Sequence, residues 1–197
     1  MNGGAGADFR SLMSSFPTGV AVVTAVDPAG QPHGMTCTSL SSVTVDPPTL
    51  LVCLDVRSGT LAAILAGGWF AVNLLRDGAR STAELFAGPV RHRFRHVGSR
   101  PSPTAGVPWL AETVAVAECR VSRTVTAGDH EVVFGEVVTV ACTGGSPLLY
   151  GRRQFSAWPG PLPEPRLATV SRADPVSLAG PVSLAAPGQR VDNRERG

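Results

Sequence analysis

Over most of its length the chain alternates runs of apolar and β-branched residues with short turns rich in glycine, proline and aspartate. Runs of this kind, bounded by turn residues, are typical of β-strands. We predict strands over residues 19–26, 34–45, 49–56, 69–75, 114–126, 131–142 and 148–155. Their number and their tight turns predict a mainly β fold with short helices, closed or nearly closed into a barrel.

Two short helices interrupt the predicted strands. The first covers residues 61–66, with Ser58 or Thr60 as its N-cap and a pair of glycines at its end. The second begins at the Ser-Thr-Ala-Glu run of residues 81–84, which fits a capping box, and ends at Gly88. The pattern therefore predicts strands as the main elements, with helices only as connections.

Composition divides the chain into three parts. No aromatic residue follows Trp158, and proline, alanine and glycine dominate beyond it. We therefore predict one domain over residues 9–158, a disordered N-terminus over 1–8 and a disordered tail over 159–197. The alternative interpretation of the tail is a peptide that docks onto a partner.

Charge narrows the classes of function. The net charge is +2 at pH 7, which gives no support for nucleic-acid binding. All 17 basic residues are arginine, so a lysine Schiff base and a phosphate-loop lysine are excluded. Anionic groups must be held by arginine, hydroxyls, main-chain N–H groups or helix N-termini. The arginine bias also fits a G+C-rich genome.

The four cysteines, Cys37, Cys53, Cys119 and Cys142, lie in apolar strand-like runs without a C-x-x-C pair. We expect reduced, mostly buried thiols in a cytoplasmic protein. The first residues lack the basic and apolar regions of a signal peptide. No apolar run is long enough to span a membrane.

One polar segment stands between apolar strands. In the run of residues 34–43, six of ten residues are threonine, serine or cysteine. Such a run can be an edge strand that faces water. It can equally offer N–H groups and hydroxyls to a planar polar ligand.

A second polar segment lies where a predicted strand opens into a helix. Arg57, Ser58 and Thr60 bring a guanidinium, two hydroxyls and a helix N-terminus together. This is how a phosphate can be held without lysine. An ordinary N-cap beside a solvated Arg57 is the alternative.

A third segment is basic. Arg91, Arg93 and Arg95 lie in one predicted loop, where they form either a solvated charge run or a clamp on a nucleotide phosphate. His92 and His96 have the spacing of a metal pair on a helix, but no third ligand is near. We predict no metal site.

The tip of a predicted hairpin carries Gly128, Asp129 and His130. A histidine at a loop tip is commonly solvated, but loop tips are also where sites are built. No G-x-G-x-x-G run follows a predicted strand, so the sequence does not predict a Rossmann domain.

Taken in order, these segments resemble the short-chain flavin reductase family. Its members are the reductase components of two-component flavin monooxygenases. The resemblance extends from Phe9 to Phe155. The matching segments are Phe9-Arg10, Phe16-Pro17-Thr18-Gly19-Val20-Ala21-Val22-Val23-Thr24, Gly34-Met35-Thr36-Cys37-Thr38-Ser39, Ser42-Val43, Asp46-Pro47-Pro48, Phe70-Ala71-Val72-Asn73-Leu74-Leu75, Phe86-Ala87-Gly88, Arg93-Phe94, Glu118-Cys119, Gly128-Asp129-His130, Gly135-Glu136 and Pro147-Leu148-Leu149-Tyr150.

The resemblance implies an FMN-binding split β-barrel that works as a homodimer. Its expected activity is hydride transfer from NADH or NADPH to FMN or FAD, and the reduced flavin then diffuses to a partner monooxygenase. The alternatives are a non-catalytic flavin carrier or sensor on the same barrel, a flavin oxidase with an organic substrate, and a purely structural barrel.

The resemblance also implies where the ligands sit. The isoalloxazine ring would lie along residues 35–42, the flavin phosphate near 55–60, and the nicotinamide nucleotide at the 128–130 turn. His130 would orient the nicotinamide rather than transfer a proton. The residues expected to bind cofactors are Met35, Thr36, Cys37, Thr38, Ser39, Ser41, Ser42, Asp55, Arg57, Ser58, Thr60, Phe86, Ala87, Gly88, Arg93, Gly128, Asp129, His130 and Tyr150.

Overall fold

The computed structural model describes residues 3–160 of the chain, with side chains from residue 6 onward. The helices are α1 (Gly3–Ser14), α2 (Gly59–Gly67) and α3 (Arg80–Ala87), with a 3-10 helix over Arg93–Arg95. The strands are β1 (Thr18–Gly19), β2 (Ala21–Val26), β3 (Pro32–Cys37), β4 (Ser41–Val45), β5 (Pro48–Asp55), β6 (Trp69–Leu75), β7 (Ser99–Pro101), β8 (Pro108–Leu110), β9 (Thr113–Ala127), β10 (His130–Cys142), β11 (Leu148–Gly151) and β12 (Gln154–Ala157).

The main sheet has seven strands in the order β3-β2-β6-β9-β10-β5-β4, with antiparallel pairing throughout. Two smaller sheets, β1-β11-β12 and β7-β8, lie beside it. The prediction of a mainly β fold with short helices is confirmed. None of the helices in the described part of the chain is long and apolar enough to cross a membrane.

Strand β2 lies between two cores, and its side chains are buried on both faces. Val23 belongs to the core that includes Phe70 and Ile64. Its neighbour Val22 belongs to the other core, which includes Phe86 of α3. Because both faces are covered, β2 reads as a continuous apolar run rather than as an alternating one.

The main sheet is split between its edge strands. Strands β3 and β4 are consecutive in the chain and lie at opposite ends of the strand order, and no ladder joins them. Between them, the Ser39 hydroxyl accepts from the Cys53 N–H at 3.0 Å and donates to the Cys53 carbonyl at 2.9 Å. A side chain thus takes the place of a strand partner at the split, and the predicted single strand over residues 34–45 is wrong for that reason.

Strand 148–155 was also predicted as one element, but the structure forms a hairpin from it. Arg152 and Arg153 adopt φ values of 49° and 61°, which are left-handed conformations. The chain therefore reverses between β11 and β12. No glycine stands at these two positions, so the sequence gives no turn signal there.

Helix α1 corrects the expectation of a disordered N-terminus, since it begins at Gly3. Phe9, Leu12, Met13 and Phe16 have the i, i+3, i+4, i+7 spacing of one helical face. That spacing is the signal that the sequence analysis missed. The predicted tail lies outside the described residues, apart from its first two.

Two local predictions also need correction. Helix α3 begins at Arg80 with Ala79 as N-cap and no capping side chain, so the capping box at residues 81–84 is wrong. Thr82 instead donates to the Glu112 carboxylate at 2.5 Å. Among the free cysteines Cys37 and Cys119 are buried and Cys53 is partly buried, so the expectation of mostly buried thiols fails only at Cys142, which is exposed.

Candidate functional site

The outer edge of β3 presents main-chain groups. Arg93 Nη1 donates to the Gly34 carbonyl at 2.8 Å, and β3 pairs only with β2 in the described structure. The Gly34 carbonyl therefore points away from β2. Because main-chain direction alternates along an antiparallel strand, the N–H and C=O of Thr36 point the same way. This edge offers hydrogen-bond donors that no neighbouring strand uses.

Helix α3 and the loop behind it hold this edge in place. The Thr36 hydroxyl donates to the Ala83 carbonyl at 2.7 Å. A Cβ added at Gly34 would lie 2.7 Å from the Phe86 ring, so only glycine allows this approach. Phe86 in turn meets Phe94 edge-on, with 5.2 Å between ring centroids. The edge is therefore packed from one side against α3.

Arg93 has a different position from the one expected of a phosphate clamp. Its two terminal nitrogens donate to the carbonyls of Gly34 and Gly88, and its Nε is buried without a partner. The guanidinium thus connects the β3 edge to the C-terminal end of α3, beside Ala87. Arg93 supports the site from within the protein.

The start of α2 lies next to this edge. Ser58 is the N-cap, and its Oγ accepts from the Leu61 N–H at 3.0 Å. Thr60 is buried, and the first turn contains no acidic residue. The first N–H groups of a helix have no partner within it and carry partial positive charge. The site can therefore accept an anion, and the predicted N-cap at Ser58 is confirmed.

A polar cluster lies where β5 ends beside the β9–β10 hairpin. Arg57 donates to both carboxylate oxygens of Asp55, at 3.0 and 2.6 Å. This guanidinium, together with the Arg57 main-chain N–H, holds the pKa of Asp55 below its usual range. The Arg57 side chain is 82% exposed. Two of its nitrogens face Asp55, which leaves one for another anion.

The hairpin tip is a two-residue turn of Gly128 and Asp129, with Gly128 at φ 64°. His130 follows directly and pairs across the sheet with Asp55. Its Nδ1 lies 2.8 Å from the Asp129 carboxylate, and this contact lowers the pKa of Asp129. The structure thus brings the predicted nicotinamide turn beside the predicted phosphate segment.

A cleft of about 630 Å³ opens beside the β3 edge and the start of α2. We call it the arginine cleft. Its lining contains two of the residues expected to bind cofactors, Thr60 and Arg93, together with Gly34 from the polar segment of residues 34–43. The other lining residues are Gln31, Pro32, His33, Gly59, Val90, Arg91, His92, Phe94 and Arg95.

His33 is a lining residue that the sequence analysis missed. Its Nε2 lies 2.9 Å from the Asp27 carboxylate, and the pKa of Asp27 is lowered chiefly by this contact. Its ring also faces Gly59, where an added Cβ would lie 3.3 Å from Nδ1. The β2–β3 hairpin brings His33 to α2, and no local pattern in the sequence signals that contact.

Other predicted residues line a second concavity of about 610 Å³ on the far side of the split, which we call the helix groove. Thr38, Ser39, Ser41 and Tyr150 lie there. Its remaining lining comes from α1, the start of β1 and the β11–β12 turn. The residues are Phe9, Arg10, Met13, Ser14, Phe16, Thr18, Leu40, Gly151 and Arg153. Residues 38–41 of the predicted ring segment therefore line the helix groove, whereas none of residues 35–42 lines the arginine cleft.

Most of the predicted residues line neither concavity, among them Met35, Cys37 and Ser42 of the ring segment. Cys37 is buried in the core, and burial raises the pKa of its thiol. Met35 packs against the same core. Ser42 is exposed on β4. At Cys37 only the main chain is available to a ligand, so side-chain type alone does not identify its role.

The arrangement fits a planar ligand with an anionic tail. The free edge of β3 supplies in-line N–H groups, and the start of α2 supplies amides and two hydroxyls for an anion. The lining of the adjoining cleft contains no aspartate or glutamate. Among the described residues, no group of three or more potential metal ligands comes together.

Comparisons with known proteins agree with this geometry. Residues 13–159 match the model of the flavin reductase like domain family. A flavin reductase (NADPH) from Lentzea aerocolonigenes is 57% identical over 153 residues, covering 77% of this chain and 89% of that protein. A flavin reductase (NADH) from Kitasatospora aureofaciens is 46% identical over 175 residues, covering 85% and 89%.

A solved structure resembles the fold as well. The NADH:FAD oxidoreductase of Streptomyces globisporus, in complex with NAD and FAD fragments, superposes with a TM-score of 0.74 at 31% identity. The match covers 78% of this chain and 93% of that one.

Proposed function

Because this chain belongs to the flavin reductase family, we propose that its free β3 edge and the start of α2 hold the flavin that it reduces. The chain is an NAD(P)H:flavin oxidoreductase that transfers a hydride from NAD(P)H to FMN or FAD and supplies reduced flavin to a monooxygenase. The resemblance and the split-barrel fold that the sequence implied are confirmed.

The observation that carries the site assignment is the meeting of the β3 edge with the helix start. A bound flavin supplies the ring that accepts the hydride. Main-chain N–H groups from Thr36 to Ser42 would hold the polar edge of that ring and would stabilise negative charge on it. Ser58, Thr60 and the first amides of α2 hold the phosphate, with the free nitrogen of Arg57 beside them.

The role of His130 is to position the nicotinamide ring. The tight turn at Gly128 and the contact with Asp129 fix the ring at the hairpin tip. Hydride transfer needs no proton from the protein, so we assign His130 to orienting the dihydronicotinamide rather than to transferring a proton. We assign packing around the flavin to the other predicted residues, Phe86, Ala87, Gly88 and Tyr150.

The activity is tested by mixing the protein with FMN or FAD and with NADH or NADPH, and following loss of the reduced-nicotinamide absorbance in air. We expect flavin-dependent oxidation of at least one donor. Flavin binding without any oxidation would instead favour the carrier or sensor. Absence of flavin binding would overturn the site assignment.

The substitution His130→Ala tests the role of the hairpin. We expect a raised KM for the nicotinamide or a lowered kcat, while flavin affinity stays nearly unchanged, because the hydrogen bonds of Arg57 and Ser58 at the proposed phosphate site do not involve His130. Steady-state kinetics and flavin titration on the same preparation give both readouts. Kinetics equal to those of the unaltered enzyme would remove His130 from the mechanism.

We propose further that residues 9–158 form the reductase domain and that it works as a homodimer. The apolar side of α1 and of the turn after it supports this, since Phe9, Leu12 and Phe16 are each more than half exposed. A stable monomer rarely leaves such a stripe uncovered. We place the reaction in the cytoplasm, where the four free cysteines stay reduced.

A further inference from the structure

Strand β4 (Ser41–Val45) lies at one end of the main sheet and pairs only with β5 in the described part of the chain. All five of its residues are exposed, and its apolar side chains, Val43 and Val45, are two residues apart. The strand contains neither a charged residue nor a proline, although these are the residues by which edge strands commonly avoid pairing. The irregular register between Ser42 and Thr44 bends the strand but does not cover its outer side. This edge is therefore open to a further strand.

A duplicated segment of the C-terminal tail has a sequence pattern that suits such an edge. Residues 175–186 read Pro-Val-Ser-Leu-Ala-Gly followed by Pro-Val-Ser-Leu-Ala-Ala. In each repeat the valine and the leucine alternate with serine and alanine, which is the period of a strand with one apolar face. The proline stands first, where an edge strand tolerates it. No charged residue lies between Asp174 and Arg190, so the duplicated segment matches the uncharged β4 edge.

The chain between the described residues and the duplicated segment is long enough to reach such an edge. The described part ends at Gly160, and residues 161–174 come before the duplicated segment. These fourteen residues span up to about 50 Å when fully extended, and a domain of this size is about 40 Å across. Reach therefore limits the segment neither to its own domain nor to one side of it.

The start of this spacer leads away from the β4 edge of its own domain. Strand β12 begins at the β11–β12 turn, where Gly151 and Arg153 line the helix groove together with Ser41, and it runs away from that turn. Every second residue from 159 to 165 is a proline. A run of this composition favours an extended, semi-rigid spacer. The duplicated segment is therefore carried outward, toward a second copy of the chain.

We propose that the duplicated segment of one copy adds a strand to the β4 edge of the other copy. This exchange rests on the proposed homodimer and adds a contact that the domain alone does not contain. Main-chain hydrogen bonds of an added strand supply affinity, and its alternate side chains supply specificity. The valines and leucines of residues 175–186 pack beside Val43 and Val45. Because the two copies of a dimer are related by a two-fold axis, both tails exchange at once.

Hydrogen–deuterium exchange of the full chain, followed by mass spectrometry, tests this proposal. At concentrations where the protein is dimeric, we expect slow exchange at residues 41–45 and 175–186, and dilution to monomer should remove the protection of both together. The variant Ser177→Pro/Ser183→Pro removes one main-chain N–H from each repeat, so exchange at both segments should be about tenfold faster or more. Ser171→Pro, the same change before the duplicated segment, is the matched control and should exchange like the unaltered protein.

A mixture of two variants separates exchange between copies from pairing within one copy. Ser177→Pro/Ser183→Pro keeps its β4 edge, and Val43→Glu/Val45→Glu keeps its tail. Exchange between copies leaves one intact pair in the mixed dimer, so the unaltered tail, which differs in mass from the proline variant, should regain slow exchange on mixing. Pairing within one copy leaves no intact pair.

The proposal is overturned by fast exchange of residues 175–186 in a dimer, by equal protection in the two proline variants, or by no recovery of protection in the mixture. The last result would instead assign the duplicated segment to the β4 edge of its own copy. A chain that sediments as a monomer at every concentration would overturn the homodimer and the exchange with it. A dimer with an unprotected tail would overturn only the exchange, so the two failures are distinguishable.

Discussion

The two edges of the seven-stranded sheet differ in how they are covered. The β3 edge is packed by α3, and Arg93 and Thr36 bind it to neighbouring main chain. All five residues of the β4 edge are exposed, and within residues 3–160 no helix covers it. Val45 is 87% and Val43 46% exposed on that strand.

This difference indicates two kinds of partner. An uncovered edge strand with apolar side chains is a template for pairing with another chain unless something covers it. The exposed face of α1 borders the helix groove, which also contains Ser41 at the start of β4. The β3 edge is therefore suited to a small ligand, whereas β4 and α1 together form a surface suited to a second copy of the chain.

The largest effect is expected at the β4 edge. In Val43→Glu/Val45→Glu, four charges enter the proposed dimer interface, two from each copy. The dimer should weaken by at least about 3 kcal/mol, or more than roughly a hundredfold, from lost apolar burial and charge desolvation. Sedimentation equilibrium over a concentration series measures this.

The control for this edge is Leu65→Glu, which introduces a charge at a residue that is 52% exposed on α2. It should leave the association state unchanged. If the β4 variant still forms dimers at the same concentration as the unaltered protein, the two edges do not divide the roles as proposed.

Sequence patterns predicted the buried strands well because their side chains carry the signal themselves. The predictions for β2 and β6 agree with the structure to within two residues at each end. The break between β3 and β4 was missed because it depends on the Ser39 hydroxyl reaching Cys53, fourteen residues along the chain. A long-range side-chain contact leaves no local pattern.

The site shows the same limit. Ser58 was found because a capping residue before a helix is a local feature. The contacts of Arg93 with the carbonyls of Gly34 and Gly88 were not, since main-chain acceptors exist at every position and only the fold selects among them. Residue type suggested a phosphate contact for Arg93, whereas its geometry indicates support of the β3 edge.

The second largest effect is expected at Arg93, which supports the β3 edge through the carbonyls of Gly34 and Gly88. Arg93→Lys keeps the charge but cannot reach both carbonyls with a planar fork. Two partly buried acceptors then lose a partner, which should lower the free energy of unfolding by about 1–3 kcal/mol. Flavin affinity should fall as well, because the β3 edge is less fixed. Urea unfolding and flavin titration measure the two effects.

Arg95→Lys is the matched control for stability, since the Arg95 side chain donates to no carbonyl in the described structure. It should unfold at the same urea concentration as the unaltered protein. Equal stability of Arg93→Lys and Arg95→Lys would show that the β3 edge does not depend on Arg93, and the contrast between the two edges would then rest on α3 alone.

The smallest effect is expected at Asp55, which lies on β5 at the end nearest the hairpin tip. Because Arg57 holds the pKa of Asp55 below its usual range, the ionised carboxylate stabilises the folded chain. This contribution is complete above the ordinary aspartate pKa of about 3.9, and it is lost as the pH falls through the lower pKa of the folded state.

Asp55→Asn should therefore be slightly less stable than the unaltered protein at neutral pH, and the gap in Tm should narrow as the pH falls below about 4. Asp77→Asn, a matched change outside the cluster, should show no such narrowing. Thermal unfolding across a pH series compares the three proteins. A gap that stays constant into acid would mean that the Asp55–Arg57 pair does not contribute to folding, and would leave Arg57 wholly available to the flavin phosphate at the ligand side of the sheet.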